Sequence, residues 1–372
     1  MSNKTIYFPG LNGLRAIAAI SVVISHITHA LAMFNLDPTI LGVNKDGGPI
    51  GSRLGEYGVS IFFALSGFLI TYLLQEEKEL QGIQVKKFYL RRILRIWPLY
   101  YMYLLLAVIT IFMFGLEFHF NSLLFYIFYA ANIPFILKTT LPFLNHYWSL
   151  GVEEQFYLFW PWVIKKLNNK LALILLLTTG FLIGTKLILH HFYLNSVIDL
   201  TFVVTRFQCM MIGGLAAILL KQKHSLFLKI TDNKPAQLLC WAIILLAALN
   251  RFQIASVIDN EILSVVAVFL IIGQINIKNR IVNLENKVFD FLGKISYGIY
   301  VIHPLLIFYF SKFLNLLPVE AHYKYFFIYF IILGSTIFVA YISYRYFERY
   351  FLKLKHKYTV VKSSASDRKS VV

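Results

Sequence analysis

Apolar runs, each long enough to form a helix, recur along the whole chain and are separated by short polar or basic segments. A bilayer core about 30 Å thick is crossed by a helix of about 20 apolar residues. We assign crossing helices to residues 14–34, 57–74, 96–115, 149–164, 171–189, 202–220, 236–250, 260–275, 296–314 and 324–346. The pattern predicts an all-α fold, a polytopic transmembrane helical bundle of about ten crossing helices.

The stretch 122–164 contains two apolar runs, 123–137 and 156–164, and each is short for a full crossing. Basic residues that follow, among them Lys165 and Lys166, belong with other basic clusters on one side. The loop before residue 122 is predicted to lie outside, so an odd number of crossings within 122–164 is needed to place these lysines on the inner side. We therefore interpret the first run as a short re-entrant or interfacial segment and the second as part of a crossing helix that begins near Ser149.

Composition agrees with a membrane protein, with 58% hydrophobic, 17% aromatic and 14% charged residues and a mean hydropathy of +0.67. The net charge of +17 lies in clusters between apolar runs, as in residues 76–95, and so indicates cytoplasmic loops rather than nucleic-acid binding. This predicts cytoplasmic termini and an outer loop at 35–56. No metal site is expected, and Cys209 and Cys240 are expected to be buried thiols.

The ends of the chain set the expected domain limits. Residues 1–350 are predicted to form one integral membrane domain, and residues 351–372, which are basic and serine-rich, a disordered cytoplasmic tail. Ala30-Leu31-Ala32 resembles a cleavage site, so a signal peptide is the alternative interpretation of the first apolar run. Asn12 is expected to cap the first helix.

Two ionisable residues within the first predicted helix, Arg15 and His26, are the first candidates for chemistry. Eleven residues bring them to within about 20° of one helix face, about 16 Å apart along the axis. Such a pair suits a ligand lying along the helix. The alternative is an anchoring arginine and a histidine satisfied inside the bundle. His29, one turn on, is the natural comparison.

Further candidates lie in two other helices. Arg92 and Arg95 are neighbours on one helix face at a membrane entrance, where paired guanidinium groups suit phosphates, although inside anchors would look the same. Glu153 and Glu154 lie in the first turns of the helix near Ser149, where the helix dipole favours carboxylates. A carboxylate beside a buried imidazole can also orient and tune a general base.

Five segments in order resemble the motifs of the membrane-bound acyltransferase-3 family, the O-acyltransferases related to O-antigen and nodulation-factor acetylases. The first is Arg15 with His26, and the second is the segment from Gly58 to Phe68, which includes Ser60. The others are Arg92-x-x-Arg95 with Trp97-Pro98, then Trp148-Ser149-Leu150 with Glu153, and last Ile295 to Tyr300 with His303-Pro304. Many relatives have Asp where Asn12 and Ser60 stand, so a charge-based role at Ser60 is in doubt.

The resemblance implies transfer of an acyl group, most often acetyl, from acyl-coenzyme A to a hydroxyl of a cell-envelope or exported glycan such as lipopolysaccharide O-antigen. It implies a bacterial inner-membrane protein that needs no permanently bound cofactor. We assign His26 as general base or transient acyl carrier and Glu153 as the group that orients it. Arg15, Arg92 and Arg95 would bind acyl-coenzyme A, with Ser60, Ser149 and His303 as candidate lining residues.

Two other functions stay open from the sequence alone. Intramembrane Arg, His and Glu also mark transport pathways, so a transporter or flippase is an alternative. An enzyme that acylates a small lipophilic acceptor, such as a macrolide, is another. The appended hydrolase-like domain of some relatives is not expected in this sequence, so that a second acyl-handling step would need another protein.

Overall fold

The computed structural model describes residues 5–45, 47–167, 170–314 and 320–363. Its helices in the first half are α1 Leu11–Ala30, α2 Leu54–Gln81, α3 Val85–Met113, α4 Phe120–Ile127, α5 Asn132–Ile136, α6 Tyr147–Lys166, α7 Leu171–Phe192 and α8 Val197–Thr205. The second half comprises α9 Phe207–Lys221, α10 Ser225–Thr231, α11 Lys234–Ala248, α12 Asp259–Ile275, α13 Lys287–Lys294, α14 Ser296–Leu314, α15 Ala321–Ser343 and α16 Arg349–His356. The expected all-α bundle is confirmed.

Short elements complete the bundle. Leu31–Phe34 and Ile277–Asn279 are 3₁₀ turns, and the π-helical turn Tyr344–Glu348 joins α15 to α16. The strands β1 Thr5–Ile6 and β2 Lys362–Ser363 pair in parallel, Thr5 with Lys362 and Ile6 with Ser363. Both ends of the described chain therefore lie on one side of the bundle, which we call the terminal face.

Seven helical segments in the described ranges are long and apolar enough to cross a membrane, fewer than the ten that we expected. The other three predicted crossings do coincide with helices. The helices α11 and α12 have 15 and 17 residues, about 23 and 26 Å, and fall short of a typical span. The third, α6, has 20 residues but carries Glu153, Glu154 and two terminal lysines, which lower its hydropathy.

The segment predicted to be re-entrant or interfacial consists of α4 and α5, which have eight and five residues. Both are too short to cross a bilayer. The predicted crossing at 202–220 is also interrupted. Arg206 separates α8 from α9 with φ of 28°, and its guanidinium lies 5.0 Å from the Trp148 ring centroid.

Close packing of α2 against α9 fixes the centre of the bundle. A Cβ atom on Gly67 would lie 1.9 Å from the Met210 carbonyl oxygen, and one on Gly213 would lie 2.0 Å from that of Ala64. Only glycine permits this backbone approach, the role expected of small residues in membrane helices. Trp160 of α6 donates to the Thr71 hydroxyl of α2 at 2.9 Å, which holds α2, and with it Ser66, beside α6.

Two expectations about the chain ends are wrong. Asn12 does not cap α1, because the helix begins at Leu11 and its N-cap is Gly10 in the left-handed conformation. Residues 351–363 of the predicted disordered tail include the end of α16 and strand β2. Residues 364–372 of that tail lie outside the described residues.

The two ends of α15 give a topological prediction. Its first turns contact the segment after α1, where Tyr325 donates to the Asp37 carbonyl oxygen and Lys45 is exposed, whereas the exposed Lys353 follows its other end. Lys45→Cys should react with a membrane-impermeant maleimide in intact cells, and Lys353→Cys only after permeabilisation. The native Cys209 and Cys240 are buried and should give little background. Labelling in the reverse pattern would contradict the predicted orientation.

Candidate active site

A cavity of about 390 Å³ extends into the bundle from the terminal face between α1, α2, α3, α6 and α14. The segment around α16 closes one of its sides. Its polar and charged lining residues are Thr5, Arg15, Ser66, Glu77, Arg91, Arg92, Arg95, Ser149, Glu153, Tyr157, Ser296, Tyr297, Tyr300, Lys355, His356 and Thr359. The structure thus brings together four of the predicted site residues that lie far apart in the sequence, together with Ser149.

Positive charge dominates this cavity. Five cations and two carboxylates line it, an excess of three positive charges. Arg15, Arg92 and Arg95 form no ion pair with a carboxylate in the part of the chain that the structure describes, and neither does Lys355. Unpaired cations inside a membrane bundle are costly and favour an anionic ligand.

Arg91 has a different role from its neighbours. Its guanidinium donates to Glu77 Oε2 at 2.6 Å and to the Tyr358 carbonyl oxygen at 2.9 Å. The Arg92 guanidinium instead lies over Tyr157, with its central carbon 5.5 Å from the centroid of the tyrosine ring. Arg91 is therefore an internal structural residue, whereas Arg92 and Arg95 remain available to a ligand.

Glu153 lies in the cavity but does not contact His26, so the predicted pairing of these two residues is wrong. Its Oε1 accepts hydrogen bonds from the Ser66 and Tyr157 hydroxyls. One donor lies on α2, and the other lies one turn further along α6. Glu153 therefore bonds to Ser66 and Tyr157 among the cations and is not the partner of the imidazole.

Ser149 and Tyr300 form the wall at the inner end of the cavity. Their hydroxyl oxygens lie 2.5 Å apart, and the Tyr300 hydroxyl donates to the His146 carbonyl oxygen at 2.9 Å. The His146 ring lies behind this wall, with its centroid 5.5 Å from that of Tyr300. The Ser149–Tyr300 pair therefore links the cavity to a group of histidines outside it.

Three histidines cluster behind this wall. His26 Nδ1 lies 2.6 Å from His303 Nε2, and their ring centroids are 4.8 Å apart. The His146 ring centroid lies 5.3 Å from that of His303 and 6.4 Å from that of His26. Arg15 and His26, which we expected along one ligand, are thus divided between the cavity and this cluster.

The hydrogen bonds fix the proton positions of the neutral His26–His303 pair. His303 Nδ1 lies 3.1 Å from the Ile299 carbonyl oxygen and must donate, since a carbonyl only accepts. His303 Nε2 then accepts from His26 Nδ1. His26 Nε2 keeps an unprotonated lone pair without a partner among the described hydrogen bonds, and the side chain is partly exposed. It is a nitrogen suited to act as a general base.

Two other candidates lie outside the cavity. Ser60 is buried and donates to Asn260 Oδ1 at 2.8 Å, so it joins α2 to α12 rather than lining the site as expected. Glu154 does not line the cavity either. The predicted lining role of Ser60 is wrong, because the side chain faces the helix interface on the far side of α2.

Several residues at the site had no role predicted from the sequence. His146 lies two residues before the Trp148-Ser149-Leu150 motif, and Tyr300 ends another motif, so their closeness to motifs was the available signal. Ser66 lies within the motif from Gly58 to Phe68, and Tyr157 follows Glu153 by four residues, but neither had an assigned role. Lys355 had no signal, because it lies in a segment that we expected to be disordered.

The arrangement can be compared with known proteins. An inferred O-acetyltransferase of Staphylococcus aureus is 28% identical over 94% of this chain and 58% of its own length. The peptidoglycan O-acetyltransferase of Listeria monocytogenes is 35% identical over 42% of this chain and 24% of its own length. An inferred peptidoglycan O-acetyltransferase of Bacillus subtilis is 33% identical over 42% and 23%, respectively.

The chain spans less than two thirds of the length of these relatives. No solved structure matches it. A family model described as an acyltransferase domain matches residues 8–345, nearly the whole chain. The protein is therefore an integral membrane member of the acyltransferase-3 family.

Proposed function

We propose that this protein transfers an acetyl group from acetyl-coenzyme A to a hydroxyl of a cell-envelope glycan. The observation that carries the proposal is the cationic cavity whose inner wall, Ser149 with Tyr300, backs directly onto the histidine cluster. The cationic cavity suits a donor that carries phosphates. The histidine cluster offers a base that can accept the proton of an acceptor hydroxyl. The names of the Listeria and Bacillus relatives favour peptidoglycan as the acceptor.

The donor would enter from the terminal face, which we place in the cytoplasm. Its phosphates would bind Arg92 and Arg95 on one face of α3, and Arg15 would contribute from α1. The thioester would then lie toward Ser149 and Tyr300. Glu153, held by two hydroxyl donors, would fix the positions of Tyr157 and Ser66 and balance part of the cationic charge.

In the transfer step, the acceptor oxygen attacks the thioester carbonyl carbon, and the carbon–sulfur bond breaks. His26 Nε2 accepts the hydroxyl proton, while His303 keeps the His26 ring in the required tautomer. The coenzyme A thiolate leaves and takes up a proton. If His26 instead carries the acyl group transiently, the same Nε2 forms and later loses the acyl bond.

The proposal is tested by incubating the purified protein with labelled acetyl-coenzyme A and peptidoglycan fragments and analysing the fragments by mass spectrometry. We expect fragments heavier by one acetyl group and free coenzyme A. A preparation that is folded, yet neither transfers nor hydrolyses acetyl-coenzyme A, would favour the transporter alternative.

Loss of Arg92 or Arg95 should weaken donor use. Each charge-assisted phosphate contact contributes about 1.5 to 3 kcal/mol, so either Ala variant should raise the KM for acetyl-coenzyme A by about ten- to 150-fold. Acceptor KM should change little. Lys86→Ala, an exposed cation on the same helix, is the control. Unchanged donor KM in a normally inserted Arg92→Ala or Arg95→Ala protein would contradict phosphate binding.

Loss of His26 should abolish transfer. His26→Ala should lower kcat by about 10² to 10⁴ while the Kd for donor stays near wild type, because a proton acceptor is removed and no donor contact is lost. His29→Ala is the matched control, since His29 is exposed and bonds the Ser25 carbonyl oxygen at 2.8 Å. A folded His26→Ala enzyme that transfers at the wild-type rate would exclude the base role.

A further inference from the structure

The chain from α16 to β2, residues 349–363, which we call the C-terminal strap, forms one side of the cationic cavity. Lys355, His356, Thr359 and Val361 of the strap all line the cavity. The strap follows the last membrane helix through the π-helical turn and packs against α3, which carries Arg92 and Arg95. Part of the proposed donor site thus comes from the end of the chain.

Two contacts hold the strap in place. Strand β2 pairs with β1, so the beginning of the chain fixes its far end. Arg91 joins its middle to α2, because the guanidinium donates both to the Tyr358 carbonyl oxygen and to Glu77. The strap is therefore held as a wall of the cavity by specific contacts with distant parts of the chain.

Lys355 is the lysine of α16 that faces the cavity. Lys353, two residues earlier on the same helix, is exposed to solvent, whereas Lys355 is partly buried against the lining. No described carboxylate forms an ion pair with Lys355. Its ammonium group joins Arg15, Arg92 and Arg95 in a field of like charge, an arrangement that an anionic ligand would stabilise.

The strap also lies at a defined distance from the inner end of the cavity. Its contact with α2 runs through Arg91 to Glu77, whereas Glu153 contacts α2 at Ser66. Eleven helical residues separate Glu77 from Ser66, about 16 Å along the axis. A ligand bound at Ser149 and Tyr300 would therefore have to extend at least about 16 Å toward the terminal face to reach the strap.

We propose that Lys355 binds the 3′-phosphate at the nucleotide end of coenzyme A, which makes the C-terminal strap part of the donor site. This inference rests on the proposed function. Coenzyme A carries its thioester at one end and its ribose 3′-phosphate at the other. The wall Ser149–Tyr300 takes the first end, Arg92 and Arg95 lie along the path, and Lys355 takes the second.

Binding of coenzyme A and of dephospho-coenzyme A, which lacks only the 3′-phosphate, tests this assignment by titration calorimetry on the full-length protein in zwitterionic nanodiscs. Wild type should bind coenzyme A about tenfold or more tightly than dephospho-coenzyme A. Lys355→Ala should lose that preference and bind dephospho-coenzyme A as wild type does. Lys353→Ala should behave as wild type, and Lys355→Arg should keep most of the preference.

Each other outcome decides against the assignment in a recognisable way. If Lys355→Ala keeps the preference for coenzyme A, or lowers the affinity for both ligands equally, Lys355 does not contact the 3′-phosphate. The proposed function stands in that case. If the effect of Lys355→Ala appears only in nanodiscs containing phosphatidylglycerol, the lysine binds a lipid headgroup instead. If wild type binds neither ligand, the proposed function fails, and the assignment fails with it.

Discussion

One cavity of this membrane bundle holds an excess of positive charge, and that excess limits which ligands the cavity can bind. Desolvated guanidinium groups that lack carboxylate partners are costly, and like charges placed together add to that cost. The fold nevertheless brings Arg15, Arg92 and Arg95 to one cavity and supplies Lys355 from the far end of the chain. Among the described residues that line the cavity, the carboxylates are Glu153 and Glu77, and Glu77 is already bound to Arg91. An anionic ligand would relieve this imbalance.

The packing of the bundle explains how the charged cavity and the histidine cluster lie next to each other but remain separate. Gly67 and Gly213 let α2 and α9 approach at backbone distance, while Trp160 bonds α6 to Thr71 of α2, the helix from which Ser66 donates to Glu153. Ser149 and Tyr300 then close the cavity, and the His26–His303 pair lies beyond them. In our account this wall is where the donor compartment and the acceptor compartment adjoin.

Much of this architecture could be predicted from local features of the sequence. Apolar runs located the helices, and the spacing of Arg92 and Arg95 located one helix face, because both depend only on nearby residues. Contacts between distant segments could not be predicted. The sequence does not show that Glu153 bonds Ser66 rather than His26, or that Ser60 bonds Asn260. Nor does it show that β1 orders the basic C-terminal strap, which looks disordered by composition alone.

In the proposed mechanism, donor and acceptor occupy compartments on opposite sides of the Ser149–Tyr300 wall. Proteoliposomes of uniform orientation can separate the two substrates, with acetyl-coenzyme A and peptidoglycan fragments placed on chosen sides of the membrane. Acetylated fragments should form only when acetyl-coenzyme A is on the side of the chain termini and the fragments are on the other side. If acetylated fragments form when both substrates are on the terminal side, and none form when the fragments are on the other side, donor and acceptor do not occupy opposite compartments.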